Sequence, residues 1–75
     1  MKTYYLFIIG IQESLFKIDC EDINIAIKEF IINKKEYIKE DAYINWYNEG
    51  CFINQSGIRK LNKKEIKILR SFKNE

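Results

Sequence analysis

The feature that most restricts the fold of this chain is an uninterrupted apolar run from Tyr4 to Ile9. Successive side chains of a strand point to opposite faces of a sheet, so this run presents apolar side chains on both faces. Such a strand is typical of the centre of a sheet, covered on both sides, or of a dimer interface. The run is far shorter than the ~20 residues that span a bilayer. It therefore predicts a central core strand and no membrane partner.

A second strand is predicted to pair with the first. Gly10 to Ser14 offers a turn, and Leu15 to Ile18 can return as an antiparallel strand. In that strand Phe16 and Ile18 would face the core, while Lys17 would face water. Together the two segments predict an N-terminal β-hairpin.

Apolar residues next recur with the period of a helix. Asp19 and Asp22 both suit a helix start, because an aspartate side chain accepts a hydrogen bond from a backbone N–H of the first turn. Five apolar residues follow at helical spacing: Ile23, Ala26, Ile27, Phe30 and Ile31. The pattern predicts a helix that ends near Asn33 or Lys34, although Tyr37 and Ile38 stay in phase and could prolong it.

Two further strand segments follow the first helix. They are Ala42 to Tyr47 and Cys51 to Ile53, which are rich in residues that favour strands. Asn48-Glu49-Gly50 between them suits a hairpin loop, with the glycine in the left-handed region. A second turn is predicted at Asn54 to Gly57.

The last predicted element is a helix of about Lys63 to Lys73. Asn62 and Glu65 have the spacing of a capping box at its start. The element order is then ββαββα, which predicts an α+β fold with a small antiparallel sheet and two helices packed on one face. This order is neither that of double-stranded-RNA-binding domains nor the ferredoxin-like order. With no linker or repeat, residues 1–75 are expected to form a single compact domain.

Composition argues against several kinds of active site. The chain has no histidine and two cysteines, which excludes Ser-His-Asp and Cys-His catalysis, histidine-ligated metal sites and a multi-disulfide scaffold. Its three glycines cannot build the usual phosphate-binding loops. No cleavage site follows the apolar run, so we expect a cytoplasmic protein in which Cys20 and Cys51 are reduced. We expect a non-enzymatic protein with no catalytic residues, metal or cofactor.

Basic charge is concentrated at the C-terminal end. Residues 57–75 carry seven Lys or Arg and two acids, whereas residues 1–56 carry six Lys and nine acids. If the helical phase extends back to Ile58, six side chains form one basic ridge: Arg59, Lys60, Lys63, Lys64, Lys67 and Arg70. The basic ridge would dock on phosphates or on an acidic protein surface. The alternative is a solvated helix face, rich in lysine because the genome is AT-rich.

Three alternating residues form a second candidate surface, the hairpin face of Tyr43, Asn45 and Tyr47. If the helices cover the face of Ile44 and Trp46, the hairpin face points outward. Exposed tyrosines beside an asparagine can stack on bases or anchor a protein interface. The alternative is that cross-strand aromatic pairs simply stabilise the sheet.

A third candidate lies on the back of the first helix. Ile25 and Ile32 are seven residues apart and therefore lie on one line along the helix. Two exposed isoleucines in register suggest a homodimer or partner contact. The alternative is scattered surface hydrophobic residues in an isoleucine-rich chain.

Together these observations favour a small protein-binding module over an enzyme. A domain of this size has little room for a water-excluding pocket, but it has surface for one standard interface of about 800 Å² per partner. Its shortness, AT-rich composition and segregated charge are similar to those of phage or mobile-element accessory proteins. The most concrete hypothesis is an anti-CRISPR-like inhibitor that occupies a surface on a host nucleic-acid-handling complex. The alternative is direct nucleic-acid binding through the basic ridge and the hairpin face.

Overall fold

The computed structural model describes residues 1–49 and 56–73, and it has the predicted order ββαββα. The strands are β1 (Lys2–Ile8), β2 (Ile11–Cys20), β3 (Tyr43–Glu49) and β4 (Ser56–Lys60). The helices are α1 (Ile23–Asn33) and α2 (Lys63–Lys73), with a short 3₁₀ helix at Lys35–Tyr37. The strands form one antiparallel sheet in the order β2-β1-β3-β4. The predicted α+β fold is confirmed.

Strand β1 lies in the middle of the sheet, as its apolar sequence predicts. Its residue Leu6 pairs with Phe16 of β2 on one side and with Trp46 of β3 on the other. The side of β1 that carries Tyr4, Leu6 and Ile8 is buried under the helices. The described helices leave the opposite side of β1 uncovered.

Helix α1 begins after Asp22 and ends at Asn33, each one of the predicted alternatives, and Tyr37 lies in the separate 3₁₀ helix. The side chain of Asp22 caps it, accepting a hydrogen bond from the backbone N–H of Ile25 at 3.0 Å. Its predicted apolar face is buried at Ala26, Ile27, Phe30 and Ile31. The Phe30 ring lies 6.1 Å from the ring of Phe16, which joins α1 to β2. The amphipathic pattern therefore placed this helix on the correct face of the sheet.

The turn between β1 and β2 is shorter than predicted. It consists of Ile9 and Gly10, with Gly10 at φ +93, so that β2 already begins at Ile11. Ser14, predicted to end the turn, lies within β2 and is fully buried. Its Oγ accepts a hydrogen bond from the Ile8 N–H at 2.7 Å and donates to the Ile11 carbonyl at 2.6 Å. These bonds satisfy backbone groups where the β1–β2 register shifts.

Strand β3 extends further than the sequence predicts. Asn48 and Glu49, predicted as loop residues, pair with Tyr4 and Thr3 of β1. That part of the loop prediction is wrong, because long-range pairing with the central strand outweighs local turn preference. Gly50 and the predicted strand from Cys51 to Ile53 lie outside the described residues. Of the predicted second turn, Ser56 and Gly57 belong to β4.

The capping box of α2 is confirmed. The Asn62 backbone N–H donates to Glu65 Oε1 at 2.9 Å, and the Glu65 backbone N–H donates to Asn62 Oδ1 at 3.0 Å. Leu61 and Leu69 bury the apolar side of this segment in the core. Two N–H groups at the helix start are thereby satisfied, which explains why α2 begins at Lys63.

Candidate functional site

The basic ridge does not form as one surface. Residues 56–60 are strand β4, so the helical phase does not extend back to Ile58. Pairing of β4 with β3 determines this outcome, with Ile58 opposite Asn45. In a strand, Arg59 and Lys60 point to opposite faces of the sheet. The prediction of a single six-residue ridge is therefore wrong in its geometry.

Arg59 lies on the helix-covered side of the sheet and is bound within the fold. Its guanidinium donates to both carboxylate oxygens of Glu65, at 2.8 and 2.7 Å. Glu65 is buried, and its carboxylate also accepts the capping-box hydrogen bond from the Asn62 backbone N–H. This pair joins β4 to α2, so Arg59 is not displayed for a partner.

The ion pair makes the stability of the protein depend on pH. Burial alone would raise the pKa of Glu65, but hydrogen bonds from Arg59 and the Asn62 backbone hold it below its ordinary value of 4.5. The carboxylate therefore stabilises the folded state above its unfolded pKa, and this contribution is lost as pH falls through the folded pKa. As pH falls from about 5 to about 3, we expect the free energy of unfolding to decrease less in Glu65→Gln than in the parent protein. Urea unfolding at each pH measures this, and parallel curves for parent and variant would contradict it.

The other members of the predicted ridge are dispersed. Arg70 Nε donates to Glu40 Oε1 at 2.7 Å in an exposed pair. Lys60 lies on the other side of the sheet, with Nζ 5.1 Å from the centre of the Tyr43 ring. The three remaining lysines are exposed on α2: Lys63, Lys64 and Lys67. Their role in binding a partner stays a prediction.

The hairpin face points outward. Tyr43 and Tyr47 are 48% and 38% exposed, whereas Ile44 between them is fully buried. Cross-strand pairing brings further residues to the same side of the sheet. We call this side the open face; its central residues are Tyr5, Phe7, Leu15, Tyr43, Asn45, Tyr47 and Ile58. The binding role of the hairpin face remains a prediction.

Two tyrosines form a stacked pair at the centre of the open face. The rings of Tyr5 and Tyr47 lie 4.7 Å apart and within 10° of parallel. Lys17 Nζ lies 5.8 Å from the centre of the Tyr5 ring. The Tyr5 hydroxyl donates to Glu49 at 3.3 Å. The pair stabilises the sheet, and it also presents a rigid aromatic surface on the open face.

Beside this pair the open face is apolar. Phe7 pairs with Asn45, which in turn pairs with Ile58, a side chain that is 61% exposed. Phe7, Leu15 and Gln12 line a shallow hollow of about 450 Å³. Sequence reasoning missed Phe7 and Ile58 as surface residues. Their alternation with the buried positions would have identified them, once the covered side of β1 was known.

The charged side chains of the open face lie towards its ends. Asp19 and Glu49 flank Thr3 at one end, and the Thr3 hydroxyl donates to Asp19 at 2.6 Å. Lys60 lies at the opposite end, across from Tyr43. Lys17, opposite Tyr5, also lies on this side, at the β2 edge. Acids and lysines therefore border the apolar centre.

Ile25 and Ile32 lie on the back of α1, as predicted. They are 42% and 39% exposed and point away from the buried side of the helix. Their use as a dimer or partner contact stays a prediction.

The thiol of Cys20 is poorly suited to catalysis. Burial raises its pKa, and the neighbouring acids Asp22, Glu21 and Asp19 raise it further. The thiol donates a hydrogen bond to the Asp22 carbonyl at 3.3 Å. Cys20 is therefore held in its neutral, weakly nucleophilic form. Cys51 lies outside the described residues.

Residues 1–49 and 56–73 lack two further signatures of function. This part of the chain has no group of three or more Cys, Asp or Glu side chains that could hold a metal ion. It also has no helix with the length and hydrophobicity to cross a bilayer. Comparison with protein-family models, curated proteins and solved structures finds no match.

Proposed function

We propose that this chain is a small, non-enzymatic protein-binding module and that the open face is its binding surface. The supporting observation is that β1 is apolar on both sides, while the described helices cover one side. The uncovered side carries Tyr5 and Phe7, and neighbouring strands extend it with Tyr47 and Ile58. Centres of protein interfaces are enriched in aromatic side chains and depleted of charge, as this face is.

A protein partner is favoured over a nucleic acid by the distribution of charge. Nucleic-acid binding depends on cations that neutralise phosphates, and the open face has no excess of them. Both arginines of the chain hold carboxylates of the same chain, Arg59 with Glu65 and Arg70 with Glu40. Neither guanidinium is thus available for bidentate recognition of a phosphate or a base without breaking its ion pair.

The more specific role that we propose is inhibition of a host nucleic-acid-handling complex by a phage or mobile-element protein, in the cytoplasm. Small size and an AT-rich composition support this role by analogy with anti-CRISPR proteins. The module would act by occupying a surface that the complex needs for nucleic acid or for a subunit. The exposed lysines of α2 would then face an acidic part of the partner.

The test is affinity capture from a lysate of the organism that carries the gene, with and without nuclease. We expect Leu15→Lys with Ile58→Lys to lower recovery of a protein partner at least about tenfold, because charge is buried at the interface centre. The matched control is Ile25→Lys with Ile32→Lys, which makes the same change on the back of α1 and should retain the partner.

Two results would contradict the proposal. Equal capture by parent and open-face variant would place the partner on another surface. Capture that disappears with nuclease would favour direct nucleic-acid binding. In that case, changing Lys63, Lys64 and Lys67 to glutamine should weaken binding and reduce its salt dependence.

A further inference from the structure

We infer that a second copy of this chain covers the open face when no other partner is bound. The choice of surface rests on the proposed function, and the identity of the occupant comes from the arrangement of charge. The acids Asp19 and Glu49 lie at one end of the face and Lys60 at the other, with the apolar residues between them. A surface arranged in this way is complementary to its own copy.

Symmetry determines which ends of two copies meet. Two sheets packed face to face are related by a twofold axis that lies between them. An axis across the strands reverses strand direction, so the acidic end of one copy meets the Lys60 end of the other. An axis along the strands would place Asp19 and Glu49 close to the same acids of the second copy, which like-charge repulsion opposes. The first arrangement is favoured, with Glu49 facing Lys60 of the second copy.

The dimensions of the sheet predict a weak dimer. Four strands about 4.8 Å apart and seven residues at about 3.3 Å each give a face of roughly 19 by 23 Å. Two such faces bury roughly 900 Å² in projection, and projecting side chains raise this value. The total is near the lower limit of specific interfaces, about 1,000 Å². The dimer is therefore reversible, and a heterologous partner competes with the second copy for the same residues.

Sedimentation velocity of the purified chain tests the inference. We expect a monomer–dimer equilibrium between about 1 and about 500 μM, the range in which an interface of this size dissociates. Ile58→Lys and, independently, Leu15→Lys should each raise the dissociation constant at least about tenfold. Ile25→Lys, on the back of α1, should leave it within about twofold. Thermal unfolding by circular dichroism identifies any variant that fails to fold.

A charge swap tests the relative orientation of the two copies. Lys60→Glu and Glu49→Lys should each weaken the dimer several-fold, and the double variant should restore it, because the two charges exchange places across the interface. A double variant weaker than either single variant would overturn this orientation. A parent that is monomeric throughout, or a dimer that Ile25→Lys disrupts and Ile58→Lys does not, would overturn the inference itself. Those results leave the capture experiment unaffected, so a failed dimer and a failed partner surface are distinguishable.

Discussion

Replacing Glu65 with alanine is expected to lower the free energy of unfolding by about 3 kcal/mol. The carboxylate accepts two hydrogen bonds from Arg59 and one from the Asn62 backbone, and the alanine removes all three. Half-buried Arg59 is left without its carboxylate, and the capping box of α2 keeps only its bond from the backbone N–H of residue 65 to Asn62 Oδ1. A chain of 75 residues has a total stability of roughly 4–11 kcal/mol, so the loss is a large fraction of it. Thermal unfolding should show a fall in Tm of roughly 12–24 °C.

The second arginine–glutamate pair of the chain provides a matched control. Arg70 also donates twice to one carboxylate, that of Glu40, at 2.7 and 3.3 Å. The side chains of that pair are 62% and 40% exposed, compared with 33% and 10% for Arg59 and Glu65. Solvent screens an exposed pair, so Glu40→Ala should change Tm far less. Equal falls in Tm for the two alanine variants would show that burial of the Glu65 pair has no energetic importance.

Replacing Gly57 with alanine is expected to destabilise the fold by about 2 kcal/mol. A Cβ atom at this position would lie 2.7 Å from Nε1 and 2.9 Å from Cε2 of Trp46. The indole must then move off Gly57, which disturbs its packing beside Tyr4, whose ring lies 6.1 Å from it, or β4 must move away from β3. Strand propensity alone predicts that Gly57→Ala stabilises the fold, because alanine is favoured over glycine within a strand. Urea unfolding followed by far-UV circular dichroism distinguishes the two results, and this signal does not depend on the chain's single tryptophan.

A double-mutant cycle identifies the cause of that loss. In a Trp46→Phe background the atoms that the new Cβ would meet are absent, so Gly57→Ala should cost little or stabilise the fold. Gly10→Ala is the control, because the position has φ +93 and an added Cβ meets nothing within 4 Å. Its cost comes from backbone strain and should be unchanged by Trp46→Phe. An unchanged cost of Gly57→Ala in the Trp46→Phe background would contradict the steric explanation.

The sequence predicted those parts of the fold that local interactions determine. Asp22 and the Asn62–Glu65 pair fix the starts of the two helices through hydrogen bonds within one turn. The ends of β3 and β4 could not be predicted in this way. Asn48 is locally a turn residue, and it joins β3 because Tyr4 of the central strand lies opposite. Gly57 is likewise a turn residue, and its lack of a side chain instead accommodates Trp46 within β4.

The candidate surface was predicted in part for the same reason. The orientation of Tyr43 and Tyr47 followed from alternation within β3, because Ile44 between them is apolar. Strand β1 is apolar on both sides, so its sequence does not show which side the helices cover. Tyr5 and Phe7 could therefore be assigned to the open face only from the strand pairing and the position of the helices. The prediction of one basic ridge was wrong because the sequence from Ile58 to Lys60 is compatible with both a helix and a strand, and it forms strand β4.

The strand order has a consequence for synthesis of the protein. Tyr5 and its hydrogen-bond partner Glu49 are 44 positions apart in the sequence. Strand β2 is therefore available to pair with β1 well before β3 has been translated. At about 5–20 residues per second, roughly 1.5 to 6 seconds separate completion of β2 at Cys20 from translation of Glu49. During this interval the most apolar strand has an unpaired edge, which is a template for association with other chains. Helix α1 precedes β3 in the sequence and in the folded protein covers one side of β1, but it does not cover that edge.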